Sequence, residues 1–286
     1  MSLPRWWVKV MRFLAMFLVI VAVLLIINDI LRYPLTSDLH AFLWGAERIL
    51  EGQTPYGPIP GTQVKYLYAP WLAVALIPAT VLPFPILAAI WHAILAVCAG
   101  LSIWPLLRER RLDATLAAVL LGTFLFHSVW IGHFQPIMVA LLVLGIPTRW
   151  GPVAIGVAAS LKVTPIVLCV LYAARGEWRK VGVAVAVAGL LWAPALLFDL
   201  SDYGIAVMQS HSLLGHAPVA WAIVVFLAFV VAWRLAPTRY GWLAAAALWL
   251  AVLPRMILYD ASSLALGARS PEPPVPRSRG GSANGS

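Results

Sequence analysis

Residues 28–65 read NDILRYPLTSDLHAFLWGAERILEGQTPYGPIPGTQVK. This polar window lies between two oily runs and holds Asp29, Asp38, Glu47 and Glu51, four of the chain's eleven carboxylates. Before it, Phe13–Ile27 carries no charge, and after it almost everything is hydrophobic. The chain is 62% hydrophobic and 11% charged, with a mean hydropathy of +0.90. Soluble domains carry about 25% charged residues, so an ordinary soluble fold is excluded. The pattern predicts an all-α polytopic membrane protein, each span needing about twenty apolar residues.

The first run follows Arg5, Lys9 and Arg12 and is followed by Asn28-Asp29, with no small-residue cleavage site. It reads as an uncleaved anchor helix with a cytoplasmic N-terminus. Tyr66–Leu107 is one long run broken at Leu82-Pro83-Phe84-Pro85, hence two helices joined by a tight turn. Leu112–Ile131 is a fourth span, Phe134–Ile146 is short for a fifth, and Gly151–Tyr172 reads as a sixth. Val181–Phe198, Ala217–Trp233 and Gly241–Tyr259, the last interrupted by Pro254-Arg255, bring the total to about nine. Residues 1–266 thus form the membrane unit, and the Pro-, Ser-, Gly- and Arg-rich stretch 267–286 is expected to be disordered.

The net charge of +9 is read as the positive-inside bias of cytoplasmic loops rather than as a nucleic-acid footprint. Counting spans from an inside N-terminus places Arg175–Lys180 and Arg234–Arg239 inside. Residues 28–65 and 199–216 then lie together outside, the former being the first extracytoplasmic loop. Arg108–Arg111 also falls outside, against the charge rule. Trp6, Trp7, Trp71, Trp150, Trp178 and Trp242 near run ends fit an aromatic belt. Cys98 and Cys169 sit in apolar runs and read as buried free thiols.

Within the window, Leu39, Phe42, Leu43, Ala46, Ile49 and Leu50 recur at the spacing of one helix face. This predicts a short amphipathic helix in the interface plane, with Ser37 or Asp38 as N-cap and Gly52 closing its end. Asp38 is then either a cap or a chemical group facing the bilayer surface. Ionisable residues inside spans are costly and mark function. Here they are Lys162, His92, His127, His133 with Gln135, and Arg255 with Asp260. Lys162 lies about 16 Å along a helix from Gly151, with Pro165 able to kink that helix. No two histidines share a His-x-x-x-His spacing and no nucleotide fingerprint is present, so no metal or cofactor is expected.

The series Asp38-Leu-x-x-Phe42-x-x-x-Ala46-x-x-x-Leu50-x-Gly52-x-x-Pro55-Tyr56, followed by Tyr66-Leu-Tyr68-Ala-Pro70, resembles the start of glycosyltransferase family 87. Gly132-His-Phe-Gln135 is similar to that family's Gly-Gln-x-Asn stretch. Leu161-Lys162-Val-Thr164-Pro165, the basic stop at 175–179 and Tyr259-Asp260 are similar to its later motifs. The resemblance covers about residues 10–265. It departs from the family at His133 and Gln135, in lacking a histidine near Tyr259-Asp260, and in ending where members continue with further spans.

The resemblance implies a GT-C-like bundle and a hexosyltransferase of the cell envelope that moves a sugar, mannose in the family, from a polyprenyl-phosphate donor. The acceptor would be a lipid-linked or glycan hydroxyl on the extracytoplasmic face, and the chemistry inverting. Asp38 would be the general base. Lys162, Arg48, Lys65 and Arg255 are the cations available to the donor phosphate. His40, Tyr56, Tyr66, Tyr68, His133, Gln135 and Asp260 would line the acceptor cavity. Partners are then the lipid donor, the acceptor and membrane lipids, with no nucleic acid. A lipid or solute transporter with broken helices is the alternative from a different class, and a truncated member with impaired activity is another.

Overall fold

A computed structural model describes residues 5–32, 35–59, 65–109, 112–203 and 213–269. Among these the fold is helical, and the strand-like pairing is a single bridge between Pro58 and Lys65. The run expected to be an anchor lies within α1 (Arg5–Arg32), and the polar window contains α2 (Ser37–Leu50). Next come α3 (Pro70–Leu76), extended by a 3₁₀ turn to Val81, and α4 (Phe84–Arg108), which starts at the expected Leu82–Pro85 break. Proline suits these starts because the first helical N–H groups have no intrahelical acceptor.

α5 (Leu112–Ile131) coincides with the fourth predicted run. It is followed by α6 (Gln135–Gly145), α7 (Gly151–Leu161), α8 (Val170–Ala174) and α9 (Trp178–Trp192), the last continued as 3₁₀ to Leu197. α10 (Pro218–Leu235), α11 (Gly241–Val252) and a 3₁₀ segment Leu258–Arg269 complete the fold. Residues 270–286, most of the expected tail, lie outside the described residues, as do Arg110 and Arg111.

Among the described residues, four helical stretches, Phe84–Arg108, Leu112–Ile131, Trp178–Leu197 and Pro218–Leu235, are long and apolar enough to cross a membrane. Only 6% of the α10 window is buried within the protein, and Val219 and Phe226 are 74% and 65% exposed. An apolar surface of that extent belongs against hydrocarbon rather than water.

The run Gly151–Tyr172 differs from the single span expected. α7 stops at Leu161, Lys162 is extended (φ −147°, ψ 112°), and a 3₁₀ turn Thr164–Cys169 leads into α8. A Cβ placed on Gly151 would lie 2.6 Å from the Tyr172 hydroxyl. In one continuous helix those residues would be about 30 Å apart. The segment is therefore a hairpin of two half-length pieces with Lys162 at its tip. Pro165 contributes by starting the returning piece rather than by kinking a continuous helix. The ninth run is likewise interrupted: α11 ends at Val252, and the chain returns beside it, with Gly267 against Leu243.

Full-length helices separate two loop layers. The Arg175 guanidinium donates to Ala236 O at 2.8 and 2.5 Å, joining the two basic loops. At the other end of the 20-residue Trp178–Leu197 helix, Thr54 Oγ1 donates to Asp199 O at 2.8 Å, and Tyr56 meets Tyr203 edge to face. Each half-length helix spans about 16 Å, so the hairpin tip lies roughly midway between those layers.

Candidate active site

The site is assembled where the half-length helices end. α2 begins at Ser37, and its N-cap is Thr36, in the left-handed region at φ 66°. The Thr36 hydroxyl donates to its neighbour Leu35 O, and its N–H to Trp130 O at 3.1 Å, at the end of α5. This corrects the expected N-cap at Ser37 or Asp38: Asp38 lies one residue inside the first turn and does not cap the helix. Its carboxylate is half-buried and has no hydrogen-bond or ion-pair partner among the described residues. Burial pushes its pKa up to about 7, against the pull of Arg255 and then Lys162. Gly52, at φ 72°, ends α2 as expected.

The expected apolar stripe of α2 is covered by protein from Leu39 to Ala46, whereas Leu50 at its end is 58% exposed. Leu39, Phe42 and Ala46 are fully buried, and Phe42 contacts the rings of Tyr68, Trp91 and Phe134. The turn between α5 and α6 closes against the same helix start. Gly132 has φ 76°, and a Cβ there would come within 3.2 Å of Leu39 Cβ. Only glycine fits both the left-handed backbone and this approach. Trp91 Nε1 donates to Gly132 O at 2.7 Å, holding the turn from α4.

That turn presents His133, buried and stacked between Phe134 and Tyr259, each ring centroid 4.4 Å away. Gln135 N–H donates to His133 Nδ1 at 2.9 Å. A nitrogen that accepts carries no proton, so the neutral ring is protonated on Nε2. Burial, then the Lys162 charge, holds the His133 pKa well below the usual histidine range. Nε2 faces the Tyr68 hydroxyl at 3.4 Å. With its oxygen accepting from His133, the Tyr68 O–H is directed elsewhere. Burial, then the Asp38 charge, raises the Tyr68 pKa, so the phenol stays protonated.

Lys162, at the hairpin tip, donates to Asp260 Oδ1 and lies 5.4 Å over the Tyr259 ring. Asp260 Oδ2 accepts the Ile257 N–H at 2.9 Å. Arg255 is exposed and has no hydrogen bond or ion pair among the described residues, though its charge acts on Asp38, Tyr68, His133 and Tyr259. Two carboxylates therefore share the site in different states. Asp260 is buried with both oxygens engaged, whereas Asp38 is half-buried and without a partner.

The structure thus brings together Asp38, Lys162, Arg255, Asp260, Tyr68 and His133. Gln135 contributes its backbone N–H, while its side chain is buried beside Ser262 at 3.5 Å. Among the other candidates, Arg48 donates to Thr54 O at 2.6 Å and stacks on Trp44, while Lys65 pairs with Pro58 through its backbone. His40 is exposed and stacks on Phe84 at 4.2 Å. The hydroxyls of Tyr56 and Tyr66 donate to Tyr68 O and Ala69 O, shaping the turn that carries Tyr68. Tyr259, the ring between His133 and Lys162, was not nominated, although the Tyr259-Asp260 motif signalled it.

Apolar helices of membrane-crossing length, together with a carboxylate that has no partner among the described residues and lies among cations and hydroxyls, fit a membrane protein with a polar cluster between its helices. The family model of glycosyltransferase family 87 matches residues 66–207 of the chain. That match contains Tyr68, His133, Gln135 and Lys162, while Asp38, Arg255 and Asp260 flank it. The chain is also 27% identical over 179 residues to a polyprenol-phosphate-mannose-dependent alpha-(1-2)-phosphatidylinositol pentamannoside mannosyltransferase of Mycolicibacterium smegmatis. The alignment takes in 54% of this chain and 42% of that protein, so the chain spans less than half the length of this curated relative. No solved structure matches the chain.

Proposed function

We propose that this protein is an integral membrane hexosyltransferase, residues 1–266 forming one membrane unit. It transfers a sugar, most simply mannose, from a polyprenyl-phosphate donor to a hydroxyl of a lipid-linked or glycan acceptor. The observation that carries the reading is Asp38: a half-buried carboxylate with no partner among the described residues, acted on by Arg255 and Lys162. The mannosyltransferase named above supports the class of donor.

In this reading Asp38 takes the proton of the acceptor hydroxyl as its oxygen bonds to the sugar's anomeric carbon. The bond from that carbon to the phosphate oxygen breaks, and its electron pair leaves with the lipid phosphate. A glycosidase needs a second carboxylate to protonate a poor leaving oxygen. A phosphate leaves unprotonated, so one base suffices. Lys162 and Arg255 stabilise the charge that grows on it. A single displacement inverts the anomeric centre.

An apolar groove of about 570 Å³ runs between the hairpin, α10 and α11, lined among others by Ile166, Val170, Trp221, Phe226 and Val252. Ile166 and Val252 lie four and three residues from Lys162 and Arg255, so a prenyl chain laid there would bring its phosphate toward both cations. The contact between residues 54–57 and 199–203 supports placing this layer on the extracytoplasmic side, opposite the basic loops.

The test is incubation of the full chain in membranes with radiolabelled polyprenyl-phosphate mannose and a lipid extract. Label transferred by wild type and not by Asp38→Asn is expected; equal transfer by both sinks the reading. A lipid or solute transporter is the second reading, favoured by the broken hairpin with its charge at mid-depth. It predicts substrate movement across vesicles without any covalent product.

A further inference from the structure

We propose that Asp260 is a positioning residue that sets both cations of the donor side. Its Oδ1 holds the Lys162 ammonium, and its Oδ2 closes the turn that carries Arg255. The inference rests on the transferase reading above and gives Asp260 a task other than lining the acceptor cavity.

Three observations carry it. The Asp260 side chain is 2% exposed, yet both of its oxygens are engaged, one with Lys162 and the other with Ile257 N–H at 2.9 Å. A carboxylate with both oxygens occupied is held in one orientation. Next, Asp260 N–H donates back to Ile257 O at 2.9 Å, so residues 257–260 form a closed unit. Arg255 lies two residues before that unit and just after Pro254, with no other partner among the described residues to place it. Its position follows from the turn.

The third observation is the setting of Lys162. It occupies the break between α7 and the following 3₁₀ turn, where the backbone alone does not direct a four-carbon side chain. Tyr259 and Asp260, consecutive residues from the far end of the chain, hold it from two sides. An ammonium has three N–H donors, and Asp260 takes one. The other two remain for phosphate oxygens, so Asp260 aims Lys162 without using it up. Asp260 touches neither sugar nor phosphate in this scheme; it acts through its two neighbours.

The experiment measures binding of a polyprenyl monophosphate to the full chain in lipid nanodiscs, together with donor KM, kcat and melting temperature. The variants are Asp260→Asn, Lys162→Met and the double variant. Asp260→Asn keeps an oxygen for Ile257 N–H and loses the charge that holds Lys162. Binding is expected to weaken about tenfold, the scale of one charge-assisted hydrogen bond. The double variant is expected to bind no more weakly than the poorer single variant, because both changes remove one interaction. It also avoids an unpaired buried charge, so it serves if Asp260→Asn folds poorly.

Wild-type binding by Asp260→Asn, or losses that multiply in the double variant, would overturn the positioning role. Wild type that fails to bind the polyprenyl phosphate would instead overturn the transferase reading. A rise in donor KM larger than the fall in kcat is expected of a positioning role on the donor side. Loss of kcat alone would assign Asp260 to the chemical step and overturn the inference.

Discussion

The backbone N–H of Gln135 points at Nδ1 of His133, 2.9 Å away, and so decides where that imidazole keeps its proton. The proton on Nε2 faces Tyr68 Oη and turns the phenol into an outward donor near Asp38. His133→Phe keeps the stack between Phe134 and Tyr259 and removes the Nε2–H. It is expected to lower kcat about tenfold, with Tyr68→Phe doing the same and the pair not additive. Single-turnover rates of the three variants check this.

Asp38→Asn is expected to abolish transfer while leaving the protein folded in membranes. It should also be more heat-stable than wild type at pH 8. The folded pKa of Asp38 is raised from 3.8 to about 7, so the folded state favours the protonated form. Relative stability from this group is present below the unfolded pKa and is lost as pH rises toward 7. Asparagine removes that loss. Melting curves at pH 8 and under acid conditions, beside an activity assay, test both halves.

A base must be ionised to accept a proton, so kcat/KM is expected to fall tenfold per unit below the Asp38 pKa of about 7. Arg255→Met removes the larger of the two charges opposing burial and should move this acid limb upward. A limb that stays in place in Arg255→Met would show that the titrating group is not Asp38.

Arg48 was a candidate phosphate ligand by charge alone, yet it is bound to Thr54 O and stacked on Trp44. Arg48→Ala is expected to lower the melting temperature by loosening the 48–54 turn and to leave donor KM within about twofold, since surface substitutions shift free energies by roughly half a kcal/mol. A rise in donor KM matching that of Lys162→Met would return Arg48 to the phosphate site.

Gly132→Ala forces a Cβ onto a backbone at φ 76° and against Leu39. It is expected to destabilise the fold by about 1–3 kcal/mol, the cost of a strained left-handed residue. Because the same turn carries His133, activity should drop more than stability alone explains at temperatures where the variant remains folded.

Much of the fold was legible in one dimension. Hydropathy marked α4, α5 and α10 to within a few residues, because a helix facing hydrocarbon must be apolar along its whole length. The Leu82–Pro85 break was readable because proline restricts the backbone wherever it stands. Apolar spacing also located α2, whose stripe is a local property.

The polar window by itself determined that a helix lies between two oily runs with a carboxylate in its first turn. That Asp38 leaves the cap to Thr36 depended on the Trp130 carbonyl, which sequence spacing cannot place. The Gly151–Tyr172 run was apolar enough for a span. Only packing of Gly151 on Tyr172 decided that it folds back and carries Lys162 to its tip. The ion pair between Lys162 and Asp260 joins residues 98 positions apart, and no periodicity links them. Charge and hydropathy state what each residue needs; which partner meets the need is decided where distant segments touch.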